Sequence, residues 1–291
     1  MFYSPLRYPG GKRIIAPLIA MMIEQSDHLG GTYIEPFAGG AGVAIELLEK
    51  GVVSKIVIND YDKRIYSFWR SILSETDRFV QKIEDIPLSI DEWNNQRDIC
   101  STSYKKYSFE LGFATFYMNR TNRSGIIKGG VIGGLDQAGA WKLDARFNKK
   151  SLIERIRKIA QYKKSIYVYN KDILSFITHY IPKYENNAFI YFDPPYFNKS
   201  QQLYMNYLNY EDHEKIKKAI TEKVKCDWVI TYDDVNKVAE LYNNYNLRKI
   251  KLNYSVTQKR EASELMVFSN ASIIPNAIKL KSNKIYIMRY K

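Results

Sequence analysis

The stretch Thr32–Gly51 (TYIEPFAGGAGVAIELLEKG) holds a short β-rich run, a glycine-rich turn and a segment of helical spacing that ends at a glycine. Glycines directly after a first strand let the backbone approach a ligand, and the next helix offers free N–H groups in its first turn. Strand, turn and helix in this order predict the first unit of an α/β fold whose ligand lies at the carboxyl end of the strand.

Further strand-like runs alternate with helical segments along the chain. They are KIVIND at 55–60, SIYVYN at 165–170, AFIYF at 188–192 and DWVITY at 227–232. This alternation predicts a parallel sheet with helical crossovers. Three later β-type stretches, LRKIKLNYSV, ELMVFSN and KIYIMR, lie close enough in the sequence to pair antiparallel.

Residues 74–161 interrupt this alternation. They contain helical stretches such as TSYKKYSFELGFATFYMN beside a glycine-rich loop at 125–139, and they lack a clear buried strand. The sequence therefore predicts an α/β domain formed by residues 1–73 and 162–291, with a mainly helical domain of residues 74–161 inserted into it.

Charge is distributed unevenly along the 291 residues, whose formal net charge is +13. Residues 97–165 carry a net +10 and residues 246–291 a net +8, whereas residues 1–96 and 166–245 carry −3 and −2. Two basic blocks separated by slightly acidic ones favour a binding surface for a polyanion such as nucleic acid.

Several classes of protein are excluded by composition. Hydrophobic residues make up 45% of the chain, which is enough for a folded core and excludes a disordered basic tail. No apolar window is long enough for a signal peptide or a membrane span. The cysteines Cys100 and Cys226 are far apart and have no CxxC partner, which excludes a disulfide framework or a zinc ribbon. We therefore expect a cytoplasmic protein that makes no membrane contact.

Asp60 ends the second predicted strand, roughly 20 residues after the glycine-rich turn, where a carboxylate can accept both hydroxyls of a ribose. A dinucleotide fingerprint would need a third glycine where this chain has Ile45. The GGK at 10–12 is not a phosphate-binding P-loop, because Leu6 and Arg13 replace its first glycine and its hydroxyl residue. These residues together predict a nucleoside cofactor, and they give no indication of a site that binds a pyrophosphate.

The segment Asp193–Phe197 (DPPYF) follows the predicted buried strand AFIYF. Two prolines remove backbone donors and leave carbonyls exposed, and Asp193 adds acceptor oxygens at the edge of the sheet where ligands bind. Such a site can accept hydrogen bonds from an amino group, while Tyr196 can lie flat against a planar ring.

Five motifs, in the order RYPGGK, YIEPFAGGAG, KIVIND, FYMNRTNRSG and DPPY, resemble the Dam-type (D12 class) DNA adenine-N6 methyltransferases over nearly the whole chain. The resemblance implies a Rossmann-like, seven-stranded methyltransferase sheet that uses S-adenosylmethionine, with an inserted target-recognition domain. Tyr8 stands where many members have tryptophan, and the segment GIIKGGVIGGLDQAGAWKLDARFNK is richer in glycine than in the best-known members. Their target sequence should therefore not be transferred.

The resemblance also implies roles for individual residues. The cofactor site matches Tyr8, Lys12, Glu35, Phe37, Gly39, Asp60, Asp172 and Asp193. Within that set, Asp60 matches the ribose-binding acid and Asp172 the acid that reads the cofactor adenine. The catalytic motif matches Asp193, Pro194 and Tyr196.

Two alternatives are open for Asn119, Arg120, Asn122 and Arg123, at the end of a predicted helix that enters the glycine-rich loop. Arginine suits guanine edges or phosphates and asparagine suits adenine edges, so these four side chains are candidates for DNA binding. The alternative is that they simply cap the helix and hold the loop.

The chemistry of an adenine amino group defines the mechanism expected here. Its lone pair is delocalised into the ring, so Asp193 and the Pro194 carbonyl would each accept one N–H and direct the nitrogen at the sulfonium methyl group for in-line displacement. The base must leave the duplex, and Tyr196 would stack on it. No metal is expected, because the sulfonium is already activated and the three histidines show no ligand spacing.

The predicted partner is double-stranded DNA, with a cognate restriction endonuclease as a further partner of a monomeric enzyme. Rival functions are methylation of cytosine N4 or of an RNA base, which the same chemistry would allow. A DNA-binding protein that retains the fold without catalysis is a rival of another class, and the intact DPPY argues against it.

Overall fold

The computed structural model describes residues 4–7, 12–102, 104–197, 208–254, 260–275 and 286–289. The strands in these ranges are β1 (Thr32–Glu35), β2 (Lys55–Asn59), β3 (Ile166–Tyr169), β4 (Ala188–Phe192), β5 (Asp227–Asp233), β6 (Asn246–Tyr254), β7 (Arg260–Phe268) and β8 (Tyr286–Arg289). The helices are α1 (Ala16–Gln25), α2 (Gly42–Glu49), α3 (Lys63–Ser74), α4 (Thr76–Asp85), α5 (Ile90–Ser101), α6 (Phe109–Thr121), α7 (Lys149–Gln161), α8 (Ile173–His179), α9 (Tyr210–Lys223) and α10 (Asn236–Leu241). A 3-10 helix, Lys12–Ile15, precedes α1.

All described strands form one mixed sheet in the order β3-β2-β1-β4-β5-β7-β6-β8. The pairs among β3, β2, β1, β4 and β5 are parallel, and β7, β6 and β8 join antiparallel. The predicted parallel sheet with an antiparallel end is thus confirmed. Strands β1 to β7 supply the seven strands that were expected, and β8 extends the sheet at its edge.

The strand order reverses between β1 and β4, which are neighbours in the sheet although more than 150 residues separate them in sequence. From β1 the chain moves outward to β2 and then β3, and it returns to the other side of β1 as β4. A crevice forms at such a reversal, beyond the carboxyl ends of the two strands. Glu35 ends β1 and Asp193 follows β4, so both carboxylates lie at this crevice.

Both faces of the sheet are covered, which explains why the central strands are continuous apolar runs. Along β4, Phe189 and Tyr191 belong to one hydrophobic cluster, while Ile190 and Phe192 belong to a second. Helices α1, α2 and α3 contribute to the first cluster, and α8, α9 and α10 contribute to the second.

The helices between residues 74 and 161 also pack into the first cluster. In α6 every residue except Glu110 is buried. Its Phe116 stacks on Phe68 of α3 with ring centroids 6.0 Å apart, and its Phe113 lies 5.2 Å from Phe79 of α4. The expectation of a helical segment is confirmed, and its core is continuous with that of the sheet's first face. No helix in the described part of the chain is long and apolar enough to cross a membrane.

Candidate active site at the carboxyl edge of the sheet

The glycine-rich turn joins β1 to α2 and is fixed through Gly39. This glycine has a φ of 47°, a left-handed conformation that suits glycine. Its N–H donates to Asp60 Oδ2 at 2.8 Å, and its carbonyl accepts the Trp69 Nε1–H at 3.0 Å. The turn is therefore held in shape by the end of β2 and by α3, with Phe37 half-buried at its start.

Asp60 follows β2 and carries two backbone hydrogen bonds. Besides Gly39, the N–H of Asp62 donates to its Oδ1 at 2.9 Å. Burial and the neighbouring Asp62 raise the pKa of Asp60 to about 7. Near neutral pH this carboxyl group is thus balanced between its two protonation states, and a ligand that donates hydrogen bonds to it would favour the charged form.

Glu35, at the end of β1, is a second acidic side chain in the crevice. Its Oε2 accepts the N–H of Ala44 in the first turn of α2 at 3.2 Å. Burial and the charge of Asp193 raise its pKa well above the ordinary value. The contact with Ala44 links β1 to the helix that follows the glycine-rich turn.

Asp193 lies directly beyond the fully buried strand β4. Its Oδ1 accepts the hydroxyl of Thr231 on β5 at 2.9 Å, and that hydroxyl lies 2.7 Å from the Tyr191 hydroxyl. Burial raises the pKa of Asp193 to about 6, although the nearby Lys12 lowers it. The Lys12 ammonium is 3.9 Å from Asp193 Oδ1, so the catalytic candidate has a cation beside it.

Lys12 is buried and contacts the other side chains of this site. Its Nζ donates to Glu264 Oε1 at 2.5 Å and to the Tyr196 hydroxyl, and it lies 4.6 Å from the centroid of the Tyr196 ring. Tyr196 is only 7% exposed. The ring predicted to stack on a base is thus covered on one face by Lys12, and a base would contact its other face or displace the ammonium.

Three polar residues of this site had no counterpart in the sequence prediction. Glu264, on β7, pairs with Lys12, and Thr231 bonds to Asp193. Asn59, at the buried end of β2, donates to the carbonyls of Pro36 and Lys171 at 3.1 Å each, which ties the loops after β1, β2 and β3 together. A polar residue within or directly beside an apolar run of a strand is the signal that could have found each of them.

The remaining cofactor candidates differ in placement. Asp172 is exposed and caps α8, because its Oδ1 accepts the N–H groups of Leu174 and Ser175 at 2.9 and 3.2 Å. It follows β3, which is separated from β4 in the sheet by β2 and β1. Tyr8 lies outside the described residues.

The two asparagines at the end of α6 are buried and hold backbone groups. Asn119 accepts the Arg7 N–H at 2.7 Å and donates to the carbonyls of Arg7 and Gly125 at 2.6 and 2.8 Å. Asn122 accepts the Trp93 Nε1–H at 2.7 Å and donates to two carbonyls of the following loop. Their amides are engaged in positioning the N-terminal segment and the loop.

The two arginines of the same motif differ from each other. Arg123 is exposed, and its Nε donates to the Val131 carbonyl at 3.3 Å. Arg120 is buried, and burial and neighbouring arginines lower its pKa to about 9. Of the four predicted DNA-binding residues, Arg123 is therefore the one at the surface.

The chemical character of the crevice follows from this geometry. Four acidic side chains, each on a strand or directly after one, surround the crevice: Glu35, Asp60, Asp193 and Glu264. Lys12 adds a positive charge to this group. Such a site suits a ligand that carries positive charge and hydroxyl or amino donors.

The strand order, the glycine-rich turn and the acid after β2 define a class: the Rossmann-like fold of S-adenosylmethionine-dependent methyltransferases. Residues 8–256 match the family model described as D12 class N6 adenine-specific DNA methyltransferase, and the chain belongs to that family. The protein is a DNA methyltransferase that acts on adenine N6.

Two relatives match over most of their length. The type II methyltransferase M.MjaIII of Methanocaldococcus jannaschii is 22% identical over 84% of this chain and 89% of its own. The type II methyltransferase M1.LlaDCHI of Lactococcus lactis subsp. cremoris is 23% identical over 84% of this chain and 86% of its own. Among solved structures, the methyltransferase domain of bacterial CtHen1 is 10% identical, with a TM-score of 0.41 over 88% of this chain and 98% of that one.

Proposed function

We propose that the enzyme methylates adenine in duplex DNA with S-adenosylmethionine bound along the carboxyl ends of β1, β2 and β3. The carboxylate of Asp60 would accept the ribose hydroxyls, and Asp172 would read the adenine ring of the cofactor. Glu35 and the glycine-rich turn would surround its methionine part. The acidic crevice fits this group, because the cofactor carries a positively charged sulfonium.

The proposed mechanism is supported above all by the hydrogen-bond acceptors at and beside Asp193. A buried strand and the Thr231 hydroxyl fix this carboxylate at the edge of the sheet, and Pro194 follows with a carbonyl to which no described residue donates a hydrogen bond. The two acceptors stand next to each other in the chain. They would each take one N–H of a flipped adenine, so that the nitrogen lone pair is directed away from the ring.

The bound cofactor would supply an activated methyl group. The protein residues would position the adenine base and stabilise the charge that develops on it. Asp193 would stabilise the positive charge that develops on the adenine nitrogen, since its carboxylate lies in a partly buried site where electrostatic effects are strong. Asp193 must be ionised for this role. Lys12 lowers the pKa of Asp193 and so favours the ionised form.

We further propose that residues 74–161 form the target-recognition part of a monomeric enzyme with domain boundaries at 73/74 and 161/162. The net +10 of residues 97–165 supports this assignment. Arg123 would reach the DNA directly, whereas Asn119 and Asn122 would shape the loop from behind. The names of the two relatives support a type II role, in which methylation protects cytoplasmic DNA from a cognate restriction endonuclease.

Nucleoside analysis of a long DNA duplex tests the function. After incubation with the enzyme and S-adenosylmethionine, the digested DNA should contain N6-methyl-2′-deoxyadenosine at one short sequence, and RNA incubated in parallel should remain unmodified. Appearance of N4-methylcytosine, modified RNA, or no modified base across diverse DNA would contradict the proposal. The Asp193→Ala variant serves as the negative control, since it should bind DNA without modifying it.

A further inference from the structure

Arg120, on α6, is a buried cation to which no described residue supplies a counterion. It is 7% exposed, and its buried Nε has no hydrogen-bond partner among the residues that the structure describes. Within the described ranges, no ion pair or hydrogen bond of its side chain is found. A guanidinium carries five N–H donors and stays protonated near neutral pH, so burying it unpaired costs free energy. A residue in this condition indicates a partner that arrives from outside the protein.

Three further arginines lie around Arg120, and packing contacts place two of them. The Asn119 side chain grips both the N–H and the carbonyl of Arg7. The left-handed Gly125, with a φ of 77°, lets the backbone of Arg7 approach closely, because a Cβ there would lie 2.6 Å from the Arg7 carbonyl oxygen. The N-terminal segment is thus fastened to the end of α6.

Arg146 and Arg155 come from the segment that follows the glycine-rich loop. Arg146 ends the short 3-10 helix Leu143–Arg146, and the next residue, Phe147, packs its ring 5.3 and 5.5 Å from Phe116 and Tyr117 of α6. Arg155 lies on α7, which starts three residues after Arg146. The charges that act on Arg120 are those of Arg155, Arg7 and Arg146, all of the same sign.

We propose that Arg7, Arg120, Arg146 and Arg155, here called the arginine cluster, bind one backbone phosphate of the DNA substrate. The planar fork of a guanidinium matches two phosphate oxygens at once, and a phosphodiester would supply the negative charge that Arg120 lacks. The inference rests on the DNA methyltransferase function and adds to it the place where the backbone is held.

The arginine cluster is linked to the catalytic candidates through Arg7, so a phosphate contact there would position the DNA relative to them. Arg7 stands five residues before Lys12, which contacts Asp193 and Tyr196. A phosphate bound between Arg7 and Arg120 would therefore set the distance from the DNA backbone to the catalytic residues. Phosphate contacts of this type fix the register of a protein on a duplex without reading its sequence.

The salt dependence of DNA binding tests the proposal with Arg120→Met. Methionine is a long side chain without charge, so the substitution keeps most of the packing and removes the repulsion from three arginines. The variant should therefore unfold at a temperature no lower than the wild type. Its affinity for a 30-base-pair duplex of mixed sequence should fall at least ~10-fold at low salt. The slope of log K against log salt concentration should decrease by about 0.9, the value for one lost phosphate contact.

Two further variants sharpen the measurement. Arg157→Met removes an exposed charge from α7, two residues beyond Arg155, and should leave the slope nearly unchanged. Arg120→Lys keeps the charge without the fork, so it should retain the slope and lose part of the affinity. An unchanged slope in Arg120→Met, or equal losses in Arg120→Met and Arg157→Met, would overturn the proposal.

The carboxylate of S-adenosylmethionine is the competing ligand of similar chemistry. Titration of the cofactor alone into Arg120→Met should give the wild-type affinity, and a weakened affinity with a normal DNA salt slope would assign the arginine cluster to the cofactor instead. The DNA measurement requires no methyl transfer. A failure of the proposed catalytic roles would therefore appear as an inactive wild type with an intact salt slope.

Discussion

The crevice at the sheet edge and the arginine cluster each bring together charges of one dominant sign. At the crevice, burial raises the pKa of Asp60 to about 7 and that of Asp193 to about 6. In the arginine cluster, burial lowers the pKa of Arg120 to about 9. The shifts are opposite in direction and have the same leading cause, loss of water around a charged group. Each region is thus suited to a ligand of opposite charge, a cationic cofactor at the crevice and anionic DNA at the arginine cluster.

The largest effect is expected from Asp193→Ala at the crevice. Loss of the proposed acceptor for the adenine amino group should lower the rate of methyl transfer on the order of 10³-fold or more, the scale on which removing one such stabilising group acts. DNA affinity should stay within about twofold of the wild type, since the arginine cluster is untouched. Single-turnover transfer of a labelled methyl group, together with a DNA-binding assay, measures both.

Asp193→Asn provides the matched comparison for that variant. It keeps the shape and the bond to Thr231 and removes the charge, so it should be nearly as inactive as Asp193→Ala. A rate near that of the wild type in either variant would remove Asp193 from the mechanism.

The affinity for S-adenosylmethionine should depend on pH through Asp60. Its pKa is raised to about 7 in the free protein, so below that pH the carboxyl is protonated and has to lose a proton before it can accept two ribose hydroxyls. Affinity should rise with pH and level off about one unit above 7. In Asp60→Asn the cofactor should bind roughly 10- to 100-fold more weakly, as expected for two lost hydrogen bonds to a charge, and its pH dependence should be smaller. Calorimetric titration at several pH values checks this, and an affinity that falls as pH rises would contradict it.

A smaller effect is expected from Glu264→Gln. Glu264 raises the pKa of Asp193, and its removal also frees Lys12 to approach Asp193 more closely. The acidic limb of the pH dependence of the turnover rate should therefore move to lower pH, with the rate at neutral pH changed only a few-fold. Asp234→Asn, which breaks a separate ion pair with Lys249, should leave the limb in place. A shift of the acidic limb to higher pH in Glu264→Gln would contradict the expected effect of Glu264 on the pKa of Asp193.

The smallest effect on methyl transfer is expected from Asn122→Ala. Three hydrogen bonds to a fully buried amide would be lost, so the free energy of unfolding should fall by about 2–4 kcal/mol. The turnover rate of the folded variant at saturating DNA should stay within about twofold. Urea unfolding compares it with Asn95→Ala, an exposed asparagine of α5 that should have little effect. Altered sequence preference at unchanged stability would instead make Asn122 a reader of bases.

Local features of the fold were predictable from local sequence. The run from Thr32 to Gly51 forms β1, the turn and α2 as predicted, and Asp60 and Asp193 follow strands as their apolar surroundings indicated. The continuous core between residues 74–161 and α3 could not be read in this way, because periodicity shows that a helix has a buried face and does not show what covers it.

Long-range pairing accounts for most of what the sequence did not reveal at the site. Lys12 and Glu264 are 252 positions apart, and their contact depends on where β7 enters the sheet. The direction in which Asn119 and Asn122 point is decided by partners such as Arg7 and Trp93, which only the folded chain brings near. Residue type suggested what these side chains can bind, and packing decided what they do bind.

The most direct test of the contrast between the crevice and the arginine cluster is a paired binding measurement on Asp60→Asn and Arg120→Met. For each variant, the affinity for S-adenosylmethionine and the salt slope of DNA binding are determined under the same conditions. Asp60→Asn should weaken cofactor binding at least ~10-fold and keep the wild-type slope. Arg120→Met should keep the cofactor affinity, and the magnitude of its salt slope should decrease by about 0.9. Both variants weakening both ligands to the same extent would contradict the assignment of the two charged regions to two separate ligands.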